Sequence, residues 1–345
     1  VRLPHNAVDL PFSYFDEKAY QRRFTYQKTF AADPAWAGQE VLLRFDAAMA
    51  NARVLLNGVE LITHADGYTP FEARLTGQVL AGDNTVTVEI DGSENPEIPP
   101  FGGVIDYLTY AGLYREVWLI VKAPVSIGLH KIETPDVLAA QKSVTVDVAL
   151  DNPQGLPLSG SLTATLRDAA GQDVASTRAT VTGDGLRIEL AGLTGIALWD
   201  IQNPALYHLH LDLETPHGRD ATATRFGFRH VAFTAEGFAL NGKPLKLRGL
   251  NRHQSFPYVG YALGRAAQER DADILKYGLR LNTVRTSHYP QSGYFLDRCD
   301  EIGLLVFEEI PGWQHIGGEK WKAESVENVR RMIRRDWNHP SIFIW

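Results

Sequence analysis

Leu247-Arg248-Gly249-Leu250-Asn251-Arg252-His253, Leu281-Asn282-Thr283-Val284-Arg285-Thr286-Ser287-His288 and Leu304-Leu305-Val306-Phe307-Glu308-Glu309 are three short apolar runs, each ending in polar residues that cost energy to bury. Strands are predicted over Leu247–Leu250, Leu281–Arg285, Leu304–Phe307 and Ile342–Trp345. Helices are predicted near Ala266–Tyr277, over Gly293–Ile302 and over Glu324–Trp337. Strand and helix in alternation are the pattern of parallel β/α architecture. When such a sheet closes into a barrel, the carboxyl ends of its strands form one rim, and substrate binds there.

Upstream of this segment the period changes. Phe238–Leu240, Asn241-Gly242 and Pro244–Leu247 read as a hairpin leading into the first parallel strand. Before it, Val144, Val146, Val148 and Leu150 alternate with polar residues, as do Leu162, Ala164 and Leu166, and Leu209, Leu211 and Leu213. That spacing suits an Ig-like sandwich, whose plain role is to position its neighbours. Between Tyr20 and Val121 short alternating runs are punctuated by turns, Asn57-Gly58 among them, which predicts a sandwich or jelly roll. The division expected is 1–123, 124–231 and 232–345.

Bulk properties narrow the function. The chain has 345 residues, a formal net charge of -7 and no Lys/Arg block, so nucleic acid and anionic membranes are poor partners. Its one cysteine, Cys299, allows no internal disulfide and no metal motif, and is expected as a buried small hydrophobe. The apolar stretches are strand-sized and no signal-peptide pattern opens the chain, so no membrane span is expected. The first residue is not Met, which leaves the compartment open between cytoplasm and periplasm.

The rim residues are His253, His288, Glu308, Glu309, Trp313, His315 and Trp321. A histidine satisfied by local backbone is the bland reading of any one, and three strand ends in a row weigh against it. Glu308 and Glu309 cannot both enter a barrel, because neighbours on a strand point to opposite faces. One of them is expected inside as a supporting carboxylate. His315 with a nearby carboxylate is weak evidence for a metal, and a hydrogen bond to sugar is the simpler role. Trp313 and Trp321 suit the apolar face of a pyranose, with core packing the alternative.

These segments resemble glycoside hydrolase family 2, and its β-galactosidases in particular. The resemblance rests on Asn241-Gly242-Lys243-Pro244, Arg248 to His253, Asn282 to Pro290 and Asn338-His339-Pro340-Ser341. Leu3-Pro4-His5, Tyr110 to Val117 and Asn203 to Tyr207 extend it over essentially the whole chain. It implies a jelly-roll sugar-binding domain, an Ig-like β-sandwich and the first half of a (β/α)8 TIM barrel. It also implies that His253 and His288 contact the sugar and that Asp106 reaches the same pocket from the jelly roll. Arg285 resembles a buried arginine near the nucleophile. His315 resembles a magnesium-ligand histidine, but Trp313 stands where that pattern has Glu, so no metal ligand is assigned. Mg or Na stays open for the full-length enzyme, as does a homo-oligomer. Arg252, where β-glucuronidases tend to carry Lys, favours a β-galactoside.

The family's retaining mechanism uses two carboxylates about 5–5.5 Å apart. The resemblance places the acid/base glutamate a few residues after Asn338-His339-Pro340-Ser341 and the nucleophile on a later strand, both after Trp345. Both ends are therefore expected to be cut, and this polypeptide alone is expected to lack glycosidase activity. The expected function of the parent is hydrolysis of terminal non-reducing β-D-galactosides. The rivals are a non-catalytic carbohydrate-binding fragment and a β-glucuronidase, which needs a cationic clamp for the uronate.

Overall fold

A computed structural model describes every residue of the chain except Tyr14 and Val104. The first segment contains strands β1 (Arg23–Ala31), β2 (Glu40–Phe45), β3 (Asn51–Leu56), β4 (Val59–Ala65), β5 (Phe71–Arg74), β6 (Asp83–Asp91) and β7 (Val117–Lys122). They form two antiparallel sheets, ordered β1-β6-β3-β4 and β5-β2-β7. Strand β6 shows the cause: Asn84, Val86, Val88 and Ile90 are buried and the residues between them are not. Val54, Val88, Ile90, Phe45 and Phe71 meet in one core cluster. At the β3–β4 turn Asn57 and Gly58 take φ of 52° and 84°, the left-handed pair that a two-residue hairpin requires.

The second segment contains β8 (Ser126–Glu133), β9 (Lys142–Asp151), β10 (Gly160–Arg167), β11 (Asp173–Val181), β12 (Gly185–Leu193), β13 (Tyr207–Thr215) and β14 (Gly218–Phe226). Its sheets run β12-β9-β8 and β11-β10-β13-β14. The alternating Val and Leu residues of β9, β10 and β13 are all buried and share one core. Each such side chain contributes roughly 1.5–3 kcal/mol on burial.

A hairpin, β15 (Val231–Thr234), β16 (Gly237–Leu240) and β17 (Lys243–Pro244), opens the third segment. Four parallel strands follow, in the order β18 (Gly249–Asn251), β19 (Thr283–Arg285), β20 (Leu305–Phe307) and β21 (Ile342–Ile344). They are connected by α1 (Arg265–Asp273), which runs on as a wider turn through Gly278, α2 (Gly293–Ile302) and α3 (Glu319–Asp336). Val284, Val306 and Ile342 face Phe295, Leu296, Cys299 and Ile302 of α2. Leu305 and Phe343 pack with Phe238 and Leu240 of the hairpin instead. Helix α3 starts at Glu319, ahead of the Glu324 expected, and Trp321 in its first turn is 6% exposed. Of the two roles open to Trp321, its burial is that of core packing. Asn328, seven residues on and fully buried, lies on the same face of the helix.

The Asn338-His339-Pro340-Ser341 stretch fastens the second and third segments together. Trp337 Nε1 and Asn338 Nδ2 donate to the His130 carbonyl at 2.9 and 3.1 Å, and Asn338 Oδ1 accepts from Ile132 N at 2.9 Å. His339 Nδ1 meets Asp300 at 2.6 Å, and Ser341 N donates to the same carboxylate at 3.0 Å. Asp300 and its acidic neighbours overcome the desolvation of His339 and hold its pKa up, at about 9. Because the folded value exceeds the ordinary 6.5, this pair stabilises the fold fully below pH 6.5 and is lost as pH rises through about 9. The urea-unfolding free energy is expected to fall by about 1–3 kcal/mol across that window, and to fall less in His339→Gln. Equal pH slopes in the two proteins would refute the ion pair.

Candidate active site

The site is built where β18 and β19 end. The backbone N–H of Arg252 donates to the carbonyl of Arg285 at 2.9 Å, extending the parallel pairing by one residue and delivering His253 and His288 to the same rim. Their ring centroids are 5.6 Å apart, edge to face. The turn is fixed from below by Arg252, 5% exposed, which donates to Asp271 at 2.6 and 3.1 Å, to Gln268 at 2.8 Å and to Gln291. Its guanidinium lies 4.1 Å from the centre of the Phe295 ring. Gln291 returns a bond to the Arg252 carbonyl at 2.6 Å.

Alternation along β20 separates the two glutamates as expected. Val306 and Glu308 face the helices, whereas Phe307 and Glu309 face the inner side of the sheet. Glu308 is fully buried, accepts from Arg335 at 3.1 Å, and is pushed far up by burial and by Asp336. Glu309 accepts from His288 Nδ1 at 2.9 Å and from Arg285 at 2.8 and 3.2 Å. Arg285 lies over Phe307 with 37% of its side chain exposed. On the inner face of the four-stranded sheet Asn251, level with Arg285, is exposed too. The buried arginine of the rim is Arg252.

The first segment supplies the opposite wall. Tyr107 places its ring 5.6 Å from His253, 6.0 Å from His288 and 5.2 Å from Tyr289. Asp106 beside it is exposed, and its charge acts on His253 and Tyr107. His253 is held below its ordinary value by desolvation and by His288, against Asp106 and Glu309, so it is neutral at pH 7. Tyr289 is fully buried, stacked on Tyr68 at 4.6 Å, and its hydroxyl meets His253 Nδ1 at 3.2 Å. Trp313 is 53% exposed with its ring 5.2 Å from His288, leaving an aromatic face open above the histidines.

His315 stands apart from this group. Its ring meets Trp321 edge-on at 5.9 Å and covers Gly102, where any side chain would collide with it. Its buried Nε2 has no partner among the described residues, and no carboxylate is bonded to it. One imidazole between an indole and a glycine does not fit Mg, which takes oxygen ligands. Asp297, Asp300 and His339 do lie within ligand reach of one another. There, however, His339 is protonated onto Asp300, and Asp297 accepts from Arg225 at 3.0 Å. A cavity of about 840 Å³ lies elsewhere, at the junction of the three segments beside His130, Lys122 and Trp337.

Composition and chemistry of the rim, two histidines, a clamped carboxylate and an open indole, suit a polyhydroxylated ligand. Profiles of one family tile the sequence: "Glycosyl hydrolases family 2, sugar binding domain" matches 6–124, "Glycosyl hydrolases family 2" matches 130–229, and "Glycosyl hydrolases family 2, TIM barrel domain" matches 231–345. The chain belongs to glycoside hydrolase family 2. It is 45% identical over its full length to a β-galactosidase of Thermoanaerobacterium thermosulfurigenes, and 53% identical over 89% of its length to a β-galactosidase of Rhizobium meliloti. It spans 49% and 41% of those two proteins. Among solved structures, the β-glucuronidase of Parabacteroides merdae superposes with a TM-score of 0.89 at 28% identity, over 99% of this chain and 46% of that one. The more distant relatives include a β-glucuronidase of Rattus norvegicus, 30% identical over 98% of this chain and 57% of that protein.

Of the residues singled out in the sequence, His253, His288, Arg285, Trp313 and Asp106 gather at one rim and His315 does not. Tyr107, Tyr289 and Glu309 complete it. The pairing of Glu309 follows from strand alternation, but the tyrosines carried no such signal. Replacing Arg252 with Met is expected to destabilise the chain by about 2–4 kcal/mol, since it strands Asp271, Gln268 and Gln291 and Asp271 is only partly wet. Urea unfolding measures this, and a loss under about 0.5 kcal/mol would show that the network carries no stability.

Proposed function

We propose that this chain is the recognition half of an exo-acting, retaining β-galactosidase, with divisions at 1–123, 124–231 and 232–345. The observation that carries the proposal is the convergence of His253, His288 and Trp313 beyond the ends of three consecutive parallel strands, with Asp106 and Tyr107 arriving from the jelly roll. Such a pocket lies between segments, where small-molecule sites are commonly found. Trp313 would cover the apolar face of a pyranose while the histidines bond its hydroxyls. Asp106 would reach the same sugar from the jelly roll.

Galactoside is favoured over glucuronide by the relatives. The two named β-galactosidases are 45% and 53% identical to the chain, whereas the β-glucuronidase of rat is 30% identical. No helix among the described residues is long and apolar enough to cross a membrane. Neither Glu308 nor Glu309 can serve as the acid/base and nucleophile pair. Glu308 faces the helices, and Glu309 is committed to His288 and Arg285. The role of this half is to grip and orient the sugar.

The full-length protein assayed against nitrophenyl β-glycosides is expected to turn over the galactoside. Turnover of the glucuronide alone would overturn the reading. His253→Ala and His288→Ala are each expected to lower kcat/KM by about 1–3 kcal/mol of transition-state binding, the size of one lost hydrogen bond to a buried polar group. The 345-residue chain itself is expected to show no hydrolysis, and measurable turnover by it would return Glu308 or Glu309 to consideration as a catalyst.

A further inference from the structure

Two histidines facing one ligand can present two donors, two acceptors or one of each, and the hydrogen bonds behind them decide which. Behind His288, Nδ1 lies 2.9 Å from Glu309 Oε1. A carboxylate only accepts, so Nδ1 carries the proton, and in the neutral ring Nε2 presents a lone pair. Ser287 Oγ, 3.3 Å from that Nε2, fits the same state, because a hydroxyl can donate to it. Glu309 is itself held by two bonds from Arg285, so its charge is compensated without a proton from His288.

The arrangement behind His253 is the reverse. The hydroxyl of Tyr289 accepts from the backbone N–H of Gln254 at 3.4 Å and has the Tyr261 hydroxyl beside it, donating toward it, and His253 Nδ1 lies at 3.2 Å. Tyr289 is fully buried, so its hydroxyl proton needs an acceptor, and Nδ1 is the acceptor in place. His253 then carries its own proton on Nε2.

We infer that Tyr289 and Glu309 are positioning residues that lock His253 and His288 in opposite tautomers, so that the pair offers a ligand one donor and one acceptor and reads neutral hydroxyl groups. This rests on the proposed glycosidase reading and deepens it. A hydroxyl can answer both histidines, giving its proton to His288 and its lone pair to His253. A carboxylate in the same place has no proton to give and would face the lone pair of His288. At 3.3 Å the Ser287 contact is weak, and a better-placed substrate hydroxyl can replace it.

The test uses the full-length protein and a nitrophenyl β-galactoside whose ring hydroxyls are replaced one at a time by hydrogen or by fluorine. Hydrogen neither donates nor accepts, and fluorine accepts weakly but cannot donate. At the hydroxyl that donates to His288, both replacements are expected to cost kcat/KM alike, about tenfold or more. That penalty should vanish in His288→Ala and Glu309→Ala and persist in Glu309→Gln, whose amide oxygen still accepts from Nδ1. At the hydroxyl that accepts from His253, fluorine should retain rate that hydrogen loses, and the difference should vanish in His253→Ala and shrink in Tyr289→Phe. Tolerance of fluorine at the position coupled to His288 would show an imidazolium there and overturn the inference. A penalty for both replacements at that position that persists in full in Glu309→Ala would overturn it as well. If the wild type hydrolyses a different β-glycoside, the galactosidase reading fails, and the same ratio measured on that glycoside's analogues still decides the tautomers.

Discussion

Arg115 sits at the centre of the contact between the jelly roll and the parallel sheet, 6% exposed. It donates to the Tyr68 carbonyl at 2.8 Å within its own segment, and to the Pro290 carbonyl at 2.9 Å and Gln254 Oε1 at 3.3 Å across the junction. Gln254 directly follows His253, and Pro290 follows His288 and Tyr289. A single guanidinium therefore ties both histidine loops to one point of the jelly roll. A charge this deep is tolerable only when its donors are met, so the junction cannot slide without stranding it. Around it Tyr68, Tyr289, Tyr261 and Tyr114 pack ring against ring, with Tyr68 and Tyr289 nearly parallel. Burial pushes their hydroxyls up, Tyr289 to about 12, so they stay protonated, and Tyr114 donates to the Gly67 carbonyl at 2.5 Å.

The same economy of position separates the two adjacent glutamates. Glu308 and Glu309 are chemically identical and one residue apart, yet the strand turns one toward α3 and the other toward the site. Glu308 pairs with Arg335 in a closed environment that favours its neutral form. Glu309 has two cationic donors from Arg285 and the imidazole of His288. Residue type alone would assign them the same chemistry. Strand parity assigns one to structure and the other to orientation of a ligand-facing group.

Much of this was legible in the sequence, for definite reasons. Period-2 alternation in β9, β10 and β13 named the buried faces residue by residue, because a sandwich core leaves little freedom in which face turns in. Asn57-Gly58 and Asn241-Gly242 marked their hairpins, because few residues tolerate that backbone. The polar ends of the apolar runs located the rim. Tyr107 and Tyr289 were not legible, because a tyrosine's role depends on which ring lies across from it, and that is set by packing between segments far apart in sequence. Trp321 kept two roles open for a related reason: beside Trp313 it reads alike, and only the earlier start of α3 carries it under the His315 ring.

The motif residues divide between holding and touching, and most of them hold. Asn338, His339 and Ser341 bind the Ig-like segment and α2, and none of their hydrogen bonds is with a rim residue. Arg252 serves the turn beneath His253 and is walled off by Phe295, Gln268 and Gln291. Arg115 serves the junction. His253, Asp106 and Trp313 are exposed at the rim, with Arg285 part-exposed and Tyr107 behind them. A site of this kind needs its groups placed within about 0.5 Å, and loops do not reach that precision unaided. Arg252, Arg115 and His339, each bonded to more than one partner, supply it. The placement of the proposed site is therefore set by the packing of its segments as much as by the identity of its rim residues, because both loops are anchored to the jelly roll.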